Sequence, residues 1–389
     1  MTAVGAGRAT RLAGRVGRLP VGGLVGLMQQ ARRLGAVDLA VGTPGAPVPA
    51  PGLIEAGVAE LRTGSQQYED PAGNAQLRAV LADRLGPVTD PDTELTITVG
   101  ASEGLCLALL ATVDPGDEVV VLEPFYENFL GAIALCGGVP RLVRLRAPDW
   151  RWDPDELAGA FGPRTRAVLV NSPGNPTGHV LGPAELAELA GLAQRWDAVV
   201  VSDETYATYA FDGRRHVCAA EVEQLRNRSI VVGSLSKSHA ISGWRLGYLR
   251  AHPALTTALR ALHVATTGGT AGPLQRAAAR AAAAPTADAV RIMAQRRDQA
   301  VSIFERLDFD CAAPEGGCYL MAGIERLTDT GSVEFSRELL HRAGVLTVPA
   351  GIFYGDPGAG DRHVRIAFNR PADVLAEADR RLQEALCRR

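Results

Sequence analysis

The chain has 389 residues, 47% of them hydrophobic and 21% charged, a composition typical of a globular protein with room for two domains. Its formal net charge of −3 gives no general attraction to nucleic acid, and no apolar run reaches the roughly 18 residues that a membrane span needs. The six cysteines are scattered, without CxxC or zinc-type spacing, so we expect reduced thiols, a cytoplasmic protein and no metal site.

The N-terminal segment is basic, because Arg8, Arg11, Arg15 and Arg18 all precede the first acidic residue, Asp38. Its charge is like that of a transit peptide, but no apolar core of the secretory type follows. We expect a short basic arm before the main fold.

From about residue 95, short β-rich runs alternate with helical stretches. The runs are "LTITVG", "DEVVVLEP", "RAVLVNSP", "DAVVVSDE", "SIVVGS" and "GWRLGYLRA". Most are apolar on both faces, which is typical of a covered parallel sheet. "SEGLCLALLATV" and "GPAELAELAGLAQRW" between them have helical periodicity, so the pattern predicts an α/β sandwich with a largely parallel sheet. The last run carries arginines, and we expect it to be an antiparallel edge strand or hairpin partner.

The chain changes character after residue 285. "ADAVRIMAQRRDQAVSIFERL" predicts a long amphipathic helix that bridges two domains, and the segments beyond it are shorter and mixed. We therefore predict a large domain over residues 41–285 and a smaller α+β domain made of residues 1–40 and 286–389.

Polar residues cluster where the apolar runs end. They are Gly100 to Ser102, Tyr126, Asn171 to Gly178, Asp203 to Tyr206, and Ser234 to Lys237. Ligands in open α/β sheets bind outside the carboxyl ends of the strands, so we expect these residues to converge on one crevice.

Lys237 is the one lysine of the chain, and every other member of the 40 basic residues is an arginine. A lysine at a strand end in a crevice loses its proton more readily than a surface lysine, and the neutral amine can form a Schiff base with an aldehyde. Arginine cannot replace it there, because the guanidinium stays protonated.

The motifs around Lys237 are similar to those of a known enzyme family. Ser234, Ser236 and Lys237 form S-x-S-K, and Arg245 follows eight residues later; N-P-T-G stands at 175–178 and "SDETY" at 202–206. In this order the set resembles the fold-type I pyridoxal phosphate (PLP) enzymes, specifically the class I/II aminotransferases. The resemblance runs from "LAVGTPGAPVPAP" to "RHVRIAFNRPADVLAEA". It implies an aspartate-aminotransferase-like PLP-dependent transferase fold, with a mostly parallel seven-stranded sheet sandwiched by helices, plus a smaller α+β domain.

The resemblance also implies roles toward the cofactor ring. Lys237 would bind PLP as an aldimine, and Asp203 would face the pyridine nitrogen and keep it protonated. Asn175 and Tyr206 match the pair that hydrogen-bonds the phenolic oxygen, and Tyr126 matches the aromatic that stacks on the ring. From the residues alone, a helix cap is the favoured interpretation of Asp203 and a core aromatic that of Tyr126.

The phosphate of PLP needs donors and positive charge. Ala101 and Ser102 stand at a predicted helix start, which favours an anion, and Ser234 and Arg245 complete the family pattern. Tyr68 matches a tyrosine that reaches the phosphate of the neighbouring subunit, which implies a homodimer with shared active sites; its other interpretation is a loop aromatic.

Substrate binding is implied for Arg365, which matches the arginine that binds the α-carboxylate, with help from Gly42 and Asn175. The chain departs from the family at "GTPGAPVP", which lines the substrate entrance, and residues 264–275 carry no charge where dicarboxylate-specific relatives place an arginine. His239 replaces a commoner aromatic and either contacts the substrate or packs.

The expected function is that of an aminotransferase that moves the α-amino group between an L-amino acid and a 2-oxo acid, with Lys237, Asp203 and Tyr206 as catalytic residues. The alternative is a PLP-dependent lyase or synthase of the same fold, which carries out β- or γ-elimination, replacement or cyclisation.

Overall fold

The computed structural model describes residues 12–19, 23–86, 89–281 and 287–386; Arg8 and Arg11 of the predicted arm lie outside them. The strands are β1 (Val37–Asp38), β2 (Leu95–Val99), β3 (Glu118–Glu123), β4 (Val139–Arg144), β5 (Thr165–Asn171), β6 (Val199–Asp203), β7 (Ser229–Ser234), β8 (Leu246–Ala251), β9 (Asp310–Cys311), β10 (Tyr319–Gly323), β11 (Val345–Leu346), β12 (Val348–Pro349) and β13 (His363–Ala367).

The α-helices alternate with these strands in the first part of the chain and frame the second. They are α1 (Gly23–Leu34), α2 (Pro51–Thr63), α3 (Ala75–Leu85), α4 (Gly100–Thr112), α5 (Asn128–Cys136), α6 (Pro154–Ala160), α7 (Pro183–Arg195), α8 (Leu235–Ser238), α9 (Pro253–Thr266), α10 (Gly272–Ala281), α11 (Ala287–Arg306), α12 (Ser332–Glu338) and α13 (Ala372–Leu386).

The main sheet has seven strands, as predicted, and their order is β2-β8-β7-β6-β5-β3-β4. All neighbours are parallel except β8, which is antiparallel to both β2 and β7. The prediction of an antiparallel strand is therefore confirmed. Of the two expected placements the hairpin partner is observed, because β8 pairs with β7; it is not an edge strand, because β2 pairs on its other side.

Helices cover both faces of this sheet. Along β3, Val119 and Val121 pack against α4 and α5, whereas Val120 and Leu122 pack on the opposite face in one cluster with α6 and α7. The alternation follows from the two-residue period of a strand and explains why the sequence runs are apolar at every position. The helix sandwich is confirmed.

The residues from α11 onward form a smaller α+β unit. A four-stranded antiparallel sheet, β12-β13-β10-β9, packs against α11 and α13, and β1 pairs in parallel with β11. The segment around Val37 is thereby joined to the C-terminal part of the chain. The domain boundaries at residues 40/41 and 285/286 stay predictions. Across the part of the chain described here, no helix is both long and apolar enough to cross a membrane.

Candidate active site

A cavity of about 390 Å³ lies at the carboxyl ends of the parallel strands, where the main sheet meets the smaller one. Every predicted site residue except Tyr68 lines it: Gly42, Ala101, Ser102, Tyr126, Asn175, Asp203, Tyr206, Ser234, Lys237, Arg245 and Arg365. Parallel strands end at a common edge, so residues distant in sequence come together there.

Lys237 follows β7 on the short helix α8. Its Nζ donates a hydrogen bond to the carbonyl oxygen of Gly42 at 2.8 Å. Burial is the main cause that lowers the pKa of Lys237; the Cys318 thiol opposes the shift, and the Arg365 guanidinium adds to it. A larger fraction of the amine is therefore neutral than on an exposed lysine, as Schiff-base chemistry requires.

Asp203 ends β6 and is 7% exposed. Its Oδ1 accepts a hydrogen bond from the amide of Thr205 at 3.0 Å, and no ion pair reaches it from the described residues. Burial raises the pKa of Asp203 to about 6, against the lowering effect of the Thr205 hydrogen bonds. A buried carboxylate without a cation is costly, so this position suits a ligand with a positive charge, such as a pyridinium nitrogen.

A second part of the cavity suits an anion. The helix α4 begins at Gly100, and the Arg245 guanidinium lies so close that a Cβ at Gly100 would overlap it. A Cβ at Gly247 would lie 2.6 Å from the amide nitrogen of Ala101. The two glycines thus let an arginine and a helix N-terminus approach each other, which is a favourable arrangement for a phosphate. Ser234 lines the same region.

Arg365 lies on β13, almost fully buried at 3% exposure. Its Nη1 donates to the side-chain oxygen of Asn175 at 2.9 Å and its Nη2 to the carbonyl oxygen of Ala40 at 2.8 Å. The guanidinium carbon lies 4.1 Å from the ring centroid of Tyr319 and 4.6 Å from that of Phe353. Nε has no hydrogen-bond partner among the described residues, which leaves a donor for a carboxylate.

The segment around Gly42 is held by residues that the sequence analysis did not single out. Asn369 donates to the carbonyl oxygen of Gly42 at 3.0 Å, and Arg370 donates to those of Thr43 at 2.8 Å and Asp38 at 2.7 Å. Both follow β13 in "AFNRPAD". The signal that could have found them is the one used elsewhere: polar residues directly after an apolar strand.

Tyrosines form part of the cavity wall. The hydroxyl of Tyr206 lies 3.5 Å from that of Tyr319, a residue that sequence reasoning also missed. Tyr319 leaves room only for glycine at position 42, because a Cβ on Gly42 would overlap its hydroxyl. Burial, and next the Glu127 carboxylate, raise the pKa of Tyr126 to about 12, so this phenol is neutral near neutral pH.

Two candidates lie elsewhere. Tyr68 is 98% exposed and borders a surface groove formed with residues 267–273. His239 lines a separate cavity on the other side of α8, where its Nε2 lies 3.2 Å from Nη1 of Arg84 and its Nδ1 lies 2.7 Å from the hydroxyl oxygen of Ser238. The geometry therefore favours packing over substrate contact for His239.

Comparison with known proteins gives the family. The model of the aminotransferase class I and II family matches residues 36–382. A probable N-succinyldiaminopimelate aminotransferase of Mycobacterium tuberculosis is 35% identical over 373 residues, which cover 90% of this chain and 93% of the relative. The arginine–pyruvate transaminase of Pseudomonas aeruginosa is 34% identical over 90% of this chain and 89% of its own length.

Solved structures agree. The N-succinyldiaminopimelate aminotransferase structure from Mycobacterium tuberculosis superposes with a TM-score of 0.91 at 31% identity, covering 96% of this chain and 100% of that one. An Escherichia coli methionine aminotransferase gives a TM-score of 0.91 at 28% identity over 96% of this chain and 100% of its own. The chain belongs to the aminotransferase class I and II family, and it is a PLP-dependent enzyme. The cationic position beside Asp203 and the anion position beside Arg245 fit the ring and the phosphate of that cofactor.

Proposed function

We propose that this cavity carries out transamination of α-amino acids, with Lys237 as the base and Arg365 as the carboxylate ligand. The observation that carries the proposal is that one backbone segment holds both side chains. The Lys237 amine and the Arg365 guanidinium hydrogen-bond to the carbonyl oxygens of Gly42 and Ala40, which are two residues apart. Two residues span at most about 7 Å, so one amino acid can contact both groups.

Substrate binding follows from this arrangement. Arg365 offers its planar guanidinium to the α-carboxylate, with Asn175 and the backbone of Gly42 beside it. The bound carboxylate orients Cα toward the Lys237 amine, which converts an encounter of two molecules into a step within one complex.

The proton step belongs to Lys237. Its lowered pKa favours the neutral amine, which can remove the proton from the substrate Cα as a general base. PLP, when bound, supplies an electron-accepting ring that spreads the negative charge left by that proton. The carboxylate of Asp203 would hold a positive charge at the ring nitrogen, and Tyr206 would offer a hydroxyl to the ring's phenolic oxygen.

Transfer is favoured over elimination, replacement or cyclisation because the relatives reported above are aminotransferases. The names of the relatives, which range from N-succinyldiaminopimelate, arginine and methionine to aspartate aminotransferases, do not select one amino donor. The segment 264–275 is without charge in this chain, which disfavours a dicarboxylate as the dedicated amino donor.

We also propose a homodimer with shared active sites. Exposed apolar side chains recur on one face of α2, at Ile54, Val58 and Leu61, and the fully exposed Tyr68 follows in the next loop. A second copy would cover this surface and place Tyr68 at its phosphate site. The cysteines of the described residues are unpaired, which supports a reducing, cytoplasmic setting. The proposed amino-acid substrates support a role in amino-acid metabolism, biosynthesis included.

A screen of amino donors against 2-oxo acid acceptors tests the proposal on the purified, PLP-loaded protein. We expect at least one donor to turn over only when an acceptor such as pyruvate or 2-oxoglutarate is present. Ammonia release or a lost side-chain leaving group, without any need for an acceptor, would overturn transamination in favour of elimination.

A further inference from the structure

The charged side chains that line the cavity outnumber the roles assigned to them. They are Glu127, Asp203, Lys237, Arg245 and Arg365. Four of them have a predicted ligand group: the ring nitrogen, the cofactor aldehyde, the phosphate and the α-carboxylate. Glu127 is the fifth, and nothing in the reaction described above uses it.

The carboxylate of Glu127 is not satisfied by the protein. Its Oε2 is buried and has no hydrogen-bond partner among the described residues, and no ion pair within that part of the chain involves it. Glu127 stands at the N-cap of α5, yet its side chain makes no capping hydrogen bond.

Two phenols of the cavity wall lie near the Glu127 carboxylate. Glu127 contributes to the raised pKa of both Tyr126 and Tyr319, two phenols of the cavity wall, so its carboxylate acts on them through space. A buried carboxylate oxygen without a donor is costly, and the cost disappears when a ligand brings an N–H group to it. The binding site is therefore incomplete without such a ligand.

We propose that Glu127 determines substrate specificity by accepting hydrogen bonds from a cationic group, a guanidinium or an ammonium, at the end of the amino-acid substrate's side chain. This inference rests on the proposed function, since Arg365 must hold the α-carboxylate for the side chain to reach the remaining wall of the cavity. Substrates would then be held at both ends by opposite charges. A side-chain carboxylate would be repelled, in agreement with the uncharged segment 264–275.

Binding without turnover tests the inference independently of transamination. The probes are 5-guanidinopentanoate, which is arginine without its α-amino group, and its uncharged ureido isostere, titrated calorimetrically into the PLP-loaded protein. A charge-assisted hydrogen bond in a buried site corresponds to roughly tenfold or more in affinity. We expect the guanidino acid to bind at least about tenfold more tightly than the ureido acid.

The variant Glu127→Gln keeps the shape of the side chain and removes its charge. We expect it to abolish the difference between the two acids and to leave the affinity of the ureido acid within about twofold. Glu334→Gln is the matched control, because Glu334 is 67% exposed on α12 and does not line the cavity. It should keep the wild-type preference.

The same comparison in turnover uses arginine and citrulline as donors, and Glu127→Gln should lower kcat/KM at least about tenfold for arginine alone. Equal affinity of wild-type protein for the two acids overturns the inference, whether or not the variant folds. A preference that survives in Glu127→Gln also overturns it. If no donor at all is transaminated while the binding preference holds, the proposed function fails and the specificity of the site stands.

Discussion

The cofactor end and the substrate end of the cavity are built in different ways. Asp203, Ser234, Lys237 and Arg245 all extend from neighbouring strands of one sheet whose faces are covered by helices. The substrate end is assembled from the smaller sheet, which supplies Arg365, and from the segment at residues 40–43. The main sheet thus positions the residues that act on the cofactor. Substrate selection depends instead on how the smaller sheet packs against the segment at residues 40–43. Substitutions at the two ends should therefore differ in kind.

The largest effect is expected at Lys237, the centre of the cofactor end. Lys237→Ala should lower turnover by about four orders of magnitude or more, because both the covalent link and the base are lost. Lys237→Arg should be equally inactive although it keeps a positive charge, since a guanidinium does not give up its proton. Circular dichroism should show an intact fold for both. Substantial turnover by either variant would contradict the assignment.

At the cofactor end, Asp203→Asn should lower the activity of the enzyme but raise the stability of the cofactor-free protein. Turnover should fall by about two to three orders of magnitude, because the ring nitrogen loses its anionic partner. The free energy of unfolding of the cofactor-free protein should increase in this variant. The folded-state pKa of Asp203, about 6, lies above the unfolded value of 3.8, so ionisation of the carboxylate destabilises the fold as pH rises between these values.

Urea unfolding of the cofactor-free protein measures this. At pH 7 the asparagine variant should be more stable than wild type by about 1–3 kcal/mol, and near pH 4 the gain should vanish because the wild-type carboxyl is protonated there. A variant that is both less stable at pH 7 and fully active would remove Asp203 from the cofactor end.

At the substrate end, Arg365→Ala should raise the KM for amino acids by roughly 10²–10³, since a desolvated bidentate ion pair is lost. PLP absorbance should be retained, because the cofactor end is separate. Arg362→Ala is a fitting control: it removes a 44% exposed arginine just before β13 that pairs with Glu325. An unchanged KM in Arg365→Ala would mean that the carboxylate binds elsewhere.

The smallest effect tests whether the cofactor end is completed by another subunit. Tyr68→Phe should weaken PLP retention by about 1 kcal/mol, the value of one hydrogen bond. Mixing Tyr68→Phe with Lys237→Ala subunits should restore one wild-type site per heterodimer, with Lys237 from one chain and Tyr68 from the other. Tight PLP binding that fails to return in the mixture, or an active monomer in sedimentation, would refute the shared site.

The difference between the two ends also explains what sequence could predict. The polar residues of the cofactor end follow apolar runs whose pattern is local, so their convergence could be inferred. Asn369 carries the same local signal, because it closely follows the apolar strand β13. Tyr319 and Glu127 gain their place only through packing between distant segments, and no local pattern marks them. The strand β4 is missing from the sequence pattern because it is an exposed edge strand with arginines at positions 141 and 144.

The shortest strands could not be predicted from the sequence for another reason. The strands β9, β11 and β12 have two residues each, too few for any periodicity, and their pairing is imposed by β10, β13 and β1. The position of β8 inside the sheet depends on β2 pairing across it, a contact between residues about 150 positions apart that alternation cannot reveal.

The most direct test of the central claim is a single half-reaction. The PLP-loaded protein is mixed with an amino donor from the screen in the absence of any acceptor, and 2-oxo acid, pyridoxamine phosphate and ammonia are quantified. Transamination predicts one equivalent each of 2-oxo acid and pyridoxamine phosphate per Lys237, with no ammonia. Repeated formation of 2-oxo acid together with stoichiometric ammonia, and no pyridoxamine phosphate, would contradict it.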